Sequence, residues 1–207
     1  MIEPDAPVVA FDFDGTLTRH DTMFPFLLHA MGAAPLTAAA TRHGLALAQV
    51  AAGRGDRDAT KADFVGDLLR GVSRDRLELA AMQRANRTIA RGLRRDTPAR
   101  LRWHREQGHH VVVVSASPDF VVEPVARALG AHHVIATQIE FVDGRCTGQL
   151  LGGNVRGPEK VNRLRAHYGD AIELEWAYGD SSGDTDMLAL ARNPVFVKKT
   201  MVSVVPA

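Results

Sequence analysis

Cysteine is nearly absent from this sequence, with Cys146 the single one in 207 residues. A lone thiol excludes an internal disulfide framework, and together with the start MIEPDAPVV, which lacks the basic-then-apolar order of a secretory signal, it makes a reducing cytoplasm the expected setting. An excess of either charge is missing too. The 25 Lys and Arg stand against 24 Asp and Glu, a formal net charge of +1, so no basic field recommends nucleic acid or an anionic membrane as partner. No basic stripe interleaves with aromatic residues, which also argues against nucleic acid. Long apolar runs are lacking: the stretch from Met23 to Ala52 is broken by His29, Pro35, Arg42, His43 and Gln49. It never reaches the roughly 18 apolar residues of a membrane span, so buried helices are expected there. The nine histidines form no set with ligand spacing, and His109-His110 and His132-His133 read as exposed residues at or before strand starts.

What is present suits an α/β chain. Four short apolar segments, Val8–Phe13, His110–Ser115, Leu174–Tyr178 and Pro194–Val197, read as parallel strands buried on both faces. Helical stretches alternate with them, among them Pro98–Gln107 closed by Gly108 and Pro118–Leu129 closed by Gly130, with Ser117 read as a helix cap. The expected fold is a Rossmann-like three-layer sandwich. Alternating residues on either side of Asp143-Gly144 predict a β-hairpin flap over 135–151, carrying Cys146. Residues from about 20 to 95 show helical periodicity without a strand, and breaks at Gly32–Pro35, Gly53–Asp56 and Gly71–Ser73 predict about four helices. They form an insertion, a small helical cap, between a first core segment 1–19 and a second 96–207.

The chemistry gathers at strand ends. The first strand finishes Asp12-Phe13-Asp14-Gly15-Thr16-Leu17-Thr18, and alternate residues of a strand share a face, so Asp12 and Asp14 begin on the same side. A second acidic run, Gly179-Asp180-Ser181-Ser182-Gly183-Asp184, follows the strand Leu174–Tyr178. Parallel strands bring both runs to one sheet edge, where α/β proteins bind ligands. Carboxylates this close repel unless a cation joins them, and an oxygen-only donor set suits Mg²⁺. Ser115 at its strand end and Lys160 near a helix start add a hydroxyl donor and a compact positive charge for anionic oxygens. Each residue alone has an ordinary explanation as turn former, cap or solvated charge. Their fixed order points to a phosphoryl site.

Asp12-Phe13-Asp14-Gly15-Thr16-Leu17-Thr18, Ser115, Lys160 and Gly179-Asp180-Ser181-Ser182-Gly183-Asp184 resemble the four motifs of the haloacid dehalogenase superfamily. The helical insertion after the first motif resembles the cap of its phosphoserine phosphatase branch. The resemblance implies a phosphomonoester hydrolase with Asp12 as nucleophile, Asp14 as acid and base, and an aspartyl-phosphate intermediate. It implies Mg²⁺ held by the Asp12 carboxylate, the Asp14 main-chain carbonyl and Asp180. Ser115 and Lys160 would hold the phosphoryl oxygens, and Asp184 would order Lys160 or metal-bound water. A small phosphorylated metabolite is the expected substrate. Asp21 falls where the branch places an acidic cap residue, and Lys61 is a second candidate substrate contact. Against phosphoserine itself stand Ser115-Ala116-Ser117, Gly183 where the branch has asparagine, and Val65 near its cap arginine. Open alternatives are a lipid phosphate such as phosphatidylglycerophosphate, with Phe24-Pro25-Phe26-Leu27-Leu28 lining the pocket or packing in the core, a noncatalytic Mg²⁺ or phosphometabolite binder, and transfer to an alcohol. Oligomeric state is written in no pattern.

Overall fold

A computed structural model of the chain describes residues 6–197. Six strands form one sheet in the order β4-β3-β2-β1-β5-β6, comprising β1 (Val8–Phe11), β2 (His110–Pro118), β3 (His133–Val142), β4 (Arg145–Leu151), β5 (Leu174–Gly179) and β6 (Ala191–Phe196). All neighbours pair parallel except β3 and β4. The strand period sorts the central valines onto two faces. Val9, Phe11, Val111 and Val113 join one buried cluster with α6 (Thr97–Glu106) and α7 (Asp119–Leu129). Val8, Ala10, Val112 and Val114 join the other with α8 (Pro158–Tyr168) and α9 (Thr185–Ala189). Helices on both faces make the three-layer sandwich, and each fully buried Val or Leu contributes about 1.5–3 kcal/mol.

Three strands run differently from expectation; β6 begins at Ala191, three residues before the expected Pro194. β1 stops at Phe11, although the Asp12 N–H still donates to the Tyr178 carbonyl at 2.8 Å. β2 continues past Ser115 to Pro118 through a register shift against β3. Pro118 therefore occupies the cap position of α7, which has no side-chain cap, and Ser117 is not its cap. The hairpin turns at Asp143 and Gly144, both at positive φ of 48° and 73°, the geometry that Asp-Gly supplies. Its first strand is a full member of the sheet rather than part of a separate flap. Cys146, on the second strand β4, is buried.

Residues 20–95 hold five α-helices, not four: α1 (Met23–Met31), α2 (Ala33–Arg42), α3 (Gly44–Ala51), α4 (Arg57–Leu69) and α5 (Arg74–Arg87). The additional break falls at His43, where neither Gly nor Pro marks it. A π-turn over Thr88–Gly92 closes α5. Asp56 caps α4 by accepting the Asp58 and Ala59 N–H groups at 2.9 and 3.0 Å, an arrangement worth about 1 kcal/mol. Leu36, Val65, Leu69 and Leu77 share an apolar cluster with Phe120 of α7, Ile139 of β3 and Cys146 of β4. No described helix is long and apolar enough alone to cross a membrane; α1 and α2 together pass by length and apolarity but are bent by 116°.

Most of the histidine expectation fails: of the four, only His132 is exposed. His109, His110 and His133 are half-buried, and His110 stacks on His132 while His133 stacks on His167, with ring centroids 4.9 and 3.8 Å apart. Aromatic neighbours at the bottom of the sheet, Tyr168 among them, draw these rings inward.

Candidate active site

The sheet edge gathers Asp12, Asp14, Ser115, Lys160, Asp180 and Asp184 around one cavity of about 320 Å³, with Asp21 and Lys61 at its lip. Gly15 makes this convergence possible. Its φ of 83° turns the chain away after Asp14, and a methyl group there would collide with the Asp180 carboxylate.

Lys160 is 1% exposed. Its ammonium donates to Asp12 Oδ1 at 2.6 Å, Asp184 Oδ1 at 2.7 Å and the Val114 carbonyl at 2.8 Å. All three donors are used, so the charged lysine is fully satisfied in a place that would otherwise expel it. Burial opposes that charge, yet Asp12 and Asp184 together hold the lysine pKa above its usual value. Burial likewise pushes the Asp12 carboxyl up to about 7, with Lys160 working against it and Asp184 adding to it. The ammonium–carboxylate form is the one this surrounding selects, because Val114 and Asp184 both accept from Nζ. Asp184 is held below the ordinary carboxylate range: burial works against this, and Lys160 and Ser181 outweigh it. Its Oδ2 accepts from the Asp180 N–H at 3.2 Å, the Ser181 N–H at 3.0 Å and the Ser181 hydroxyl at 2.9 Å.

Asp14 belongs to a separate arrangement. Its Oδ2 accepts the Ser117 hydroxyl at 2.5 Å and its Oδ1 the Thr22 N–H at 2.7 Å. Burial raises its pKa, and these two hydrogen bonds oppose the rise. Ser117 thus aims Asp14 rather than starting a helix. The signal was the strand period: in β2 Ser115 and Ser117 share a face, and only the assumption that the strand ended at Ser115 hid it. Ser115 is buried and accepts the Ser117 N–H at 3.0 Å, which leaves its hydroxyl proton free to be donated.

The donor set fits a hard divalent cation. Asp12, Asp180 and Asp184 each offer an oxygen within 4.8 Å of the others, and Asp14 adds a fourth carboxyl group to the cavity, with Lys160 the cation buried among them. Asp184 has spent both oxygens on protein donors, so Asp12 and Asp180 are the carboxylates left for a cation. Asp180 is raised by burial and by Asp184, the strain a cation would relieve.

Around the lip the arrangement is looser. Asp21 Oδ1 accepts the Met23 and Phe24 N–H groups at 2.9 and 3.2 Å, starting α1, while its Oδ2 lies 3.7 Å from Lys61 Nζ. Arg156, unsuspected from its surroundings in sequence, donates to Asp58 Oδ2 at 3.1 Å and the Ser182 hydroxyl at 3.3 Å. Gly183 makes room for it, since a Cβ there would lie 2.8 Å from Arg156 Nε. Val65 is buried in the apolar cluster and brings no charge to the site. Of the run from Phe24 to Leu28, Phe26 and Leu27 are buried and Phe24 and Leu28 face outward; none lines this cavity.

With the geometry in view, comparison with known proteins is decisive: residues 9–189 match the family described as haloacid dehalogenase-like hydrolase. The chain belongs to this family. The hydrolase is 42% identical over 185 residues to Protein CicA of Caulobacter vibrioides, covering 89% of this chain and 82% of that one. It is 32% identical over 191 residues to the phosphoserine phosphatase SerB2 of Mycobacterium tuberculosis, spanning 89% of this hydrolase but 42% of that longer protein. A crystal structure from Bordetella pertussis Tohama I, described as a protein with unknown function, shares 28% identity and a TM-score of 0.74, covering 89% of this chain and 86% of that one.

Proposed function

We propose that this hydrolase is a phosphatase that cleaves a small phosphorylated metabolite by way of a phosphorylated Asp12. The observation that carries the reading is the division of labour between two buried carboxylates in one cavity: Asp12 is held by Lys160, and Asp14 by Ser117 and Thr22. Lys160 occupies Asp12 Oδ1, so the other oxygen is the nucleophile. It bonds to phosphorus as the bond from phosphorus to the leaving oxygen breaks, and Asp14 gives its proton to that oxygen. Asp14, now ionised, takes a proton from water, whose oxygen bonds to phosphorus and releases phosphate from Asp12. The burial that raises the Asp14 pKa suits both proton transfers. Ser115 donates to a phosphoryl oxygen. Lys160 and Asp184 act chiefly by fixing the position and charge of Asp12.

The Asp12 and Asp180 carboxylates and the Asp14 main-chain carbonyl would hold Mg²⁺, which when bound offsets the repulsion between the nucleophile and the phosphoryl group. Residues 20–95 act as a cap over a core of 1–19 and 96–207, excluding water and presenting Asp21 and Lys61 to the leaving group. The buried free thiol of Cys146 suits a cytoplasmic protein.

Phosphate release from a broad phosphomonoester panel, in Mg²⁺ or EDTA, with wild type beside Asp12→Asn, tests the reading. Release that needs both the metal and Asp12 supports it; release that survives Asp12→Asn overturns it. One observation favours a lipid phosphate as the second reading: Phe24, Leu28 and Leu45 on the outer faces of α1 and α3 are 60, 44 and 76% exposed. Detergent-dispersed lipid phosphates in the same panel decide between the two.

A further inference from the structure

A second, larger cavity of about 690 Å³ adjoins the site, and His20 and Asp21 line both. Arg84, Arg87 and Arg91 line it from the end of α5 and the π-turn that follows. Spacings of three and four residues put side chains on one side of a helix, and π-turns recur where a helix serves a site. Arg84 is half-buried and the other two are exposed. Among the described residues none of the three has an acidic partner, in contrast to Arg94, Arg156 and Arg163, each of which pairs with a carboxylate. Asp21 is the sole carboxylate in the lining, and it is engaged with the Met23 and Phe24 N–H groups and faces Lys61. Thr22, also in the lining, keeps a buried hydroxyl without a hydrogen-bond partner.

Three guanidinium groups around one concavity repel each other and hold a positive potential that the single carboxylate in the lining, Asp21, offsets only in part. Arginine forks are the groups best suited to bind oxyanions in bidentate fashion. We infer that this cavity receives a second oxyanionic group, a phosphate or a carboxylate, carried on the leaving-group half of the substrate. The inference rests on the phosphomonoester reading for the identity of the first group. His20 and Asp21 form the shared boundary, so the second cavity lies beside the Asp14 side of the site, where the leaving group would extend.

Non-hydrolysable two-headed probes test this without turnover. Alkane bisphosphonates, alkane phosphonates ending in a carboxylate, and plain alkane phosphonates of matched lengths are titrated calorimetrically into Mg²⁺-loaded wild type, Arg84→Gln/Arg87→Gln and Arg95→Gln. Arg95 is exposed and lines neither cavity, so its variant controls for the loss of a surface arginine outside the cavity. At the best length a two-headed probe should bind wild type and Arg95→Gln at least about tenfold more tightly than the plain phosphonate, a gain of about 1.4 kcal/mol. In Arg84→Gln/Arg87→Gln that gain should vanish while plain phosphonate binding stays within about twofold. Whether the bisphosphonate or the carboxylate probe gains more identifies the second group. Equal binding of one-headed and two-headed probes at every length overturns the inference, as does a gain that survives the double substitution. Two-headed binding without hydrolysis of any phosphomonoester would leave the cavity assignment standing and sink the phosphatase reading; hydrolysis without any two-headed gain would do the reverse.

Discussion

The pit at the strand ends and the lip above it hold their charges in opposite ways. In the pit, the side chains of Lys160 and Asp184 are each 2% exposed, and every proton of the ammonium has an acceptor. At the lip, Asp21 and Lys61 are 55 and 42% exposed and 3.7 Å apart, and Arg156 and Asp58 form a second partly exposed pair. Solvent screens the lip pairs, so each is worth at most about 1 kcal/mol. The pit cannot lose a member without leaving a buried charge unpaired. In the proposed function the pit serves the chemistry and the lip serves the choice of substrate.

The sharpest way to break the contrast is Asp12→Asn. It should lower kcat by on the order of 10⁴-fold or more, in line with loss of a nucleophile, measured as phosphate release on the best panel substrate. Next comes Lys160→Met, which strands Asp12 and Asp184 and should lower unfolding free energy by about 3–5 kcal/mol in urea denaturation. Ser117→Ala separates aiming from folding: kcat should fall about 10- to 100-fold with KM little changed, because Asp14 loses a donor but keeps Thr22. Stability at acid pH probes a third region. Burial holds His104 down to about 3 and His110 down to about 4. Between these values and the unfolded pKa of about 6.5, the unfolded chain binds more protons, so stability falls as pH drops below about 6.5, by on the order of 1 kcal/mol per pH unit for each group. Thermal melts from pH 7.5 to 5 should show it, and a flat profile would refute buried neutral histidines. The smallest effect is at the lip, where Asp58→Ala should change stability by about 1 kcal/mol or less while shifting KM.

The same contrast explains what the sequence disclosed. Asp12, Asp14, Asp180 and Lys160 were legible because strand ends and glycine turns announce them, and a buried charge has few alternatives once its neighbours are known. The valine runs announced the sheet for a similar reason. Ser117 was misread because two local rules, Ser-Pro as a helix start and strand alternation, competed, and a register shift between β2 and β3 settled the contest in favour of the strand. Arg156 carried no local signal. Its place depends on Gly183 leaving space and on Asp58 arriving from a distant helix, which are tertiary facts. The break at His43 escaped notice because no glycine or proline marks it.

Where α4 crosses the hairpin, Gly66 and Gly148 meet backbone to backbone, and a single methyl group on either would collide with the other's carbonyl oxygen. The helical layer is therefore held by more than its two linkers: it meets the hairpin at this bare crossing, again where the Gly71 and Arg74 N–H groups donate to the Cys146 and Gly144 carbonyls at 2.8 Å each, and it packs on Phe120 of α7. The cap motion we propose therefore cannot be a swing on the linkers alone: opening would have to part the layer from the hairpin and from α7, or carry them with it. Widening either glycine would act as a wedge, propping the mouth ajar from a point no substrate touches.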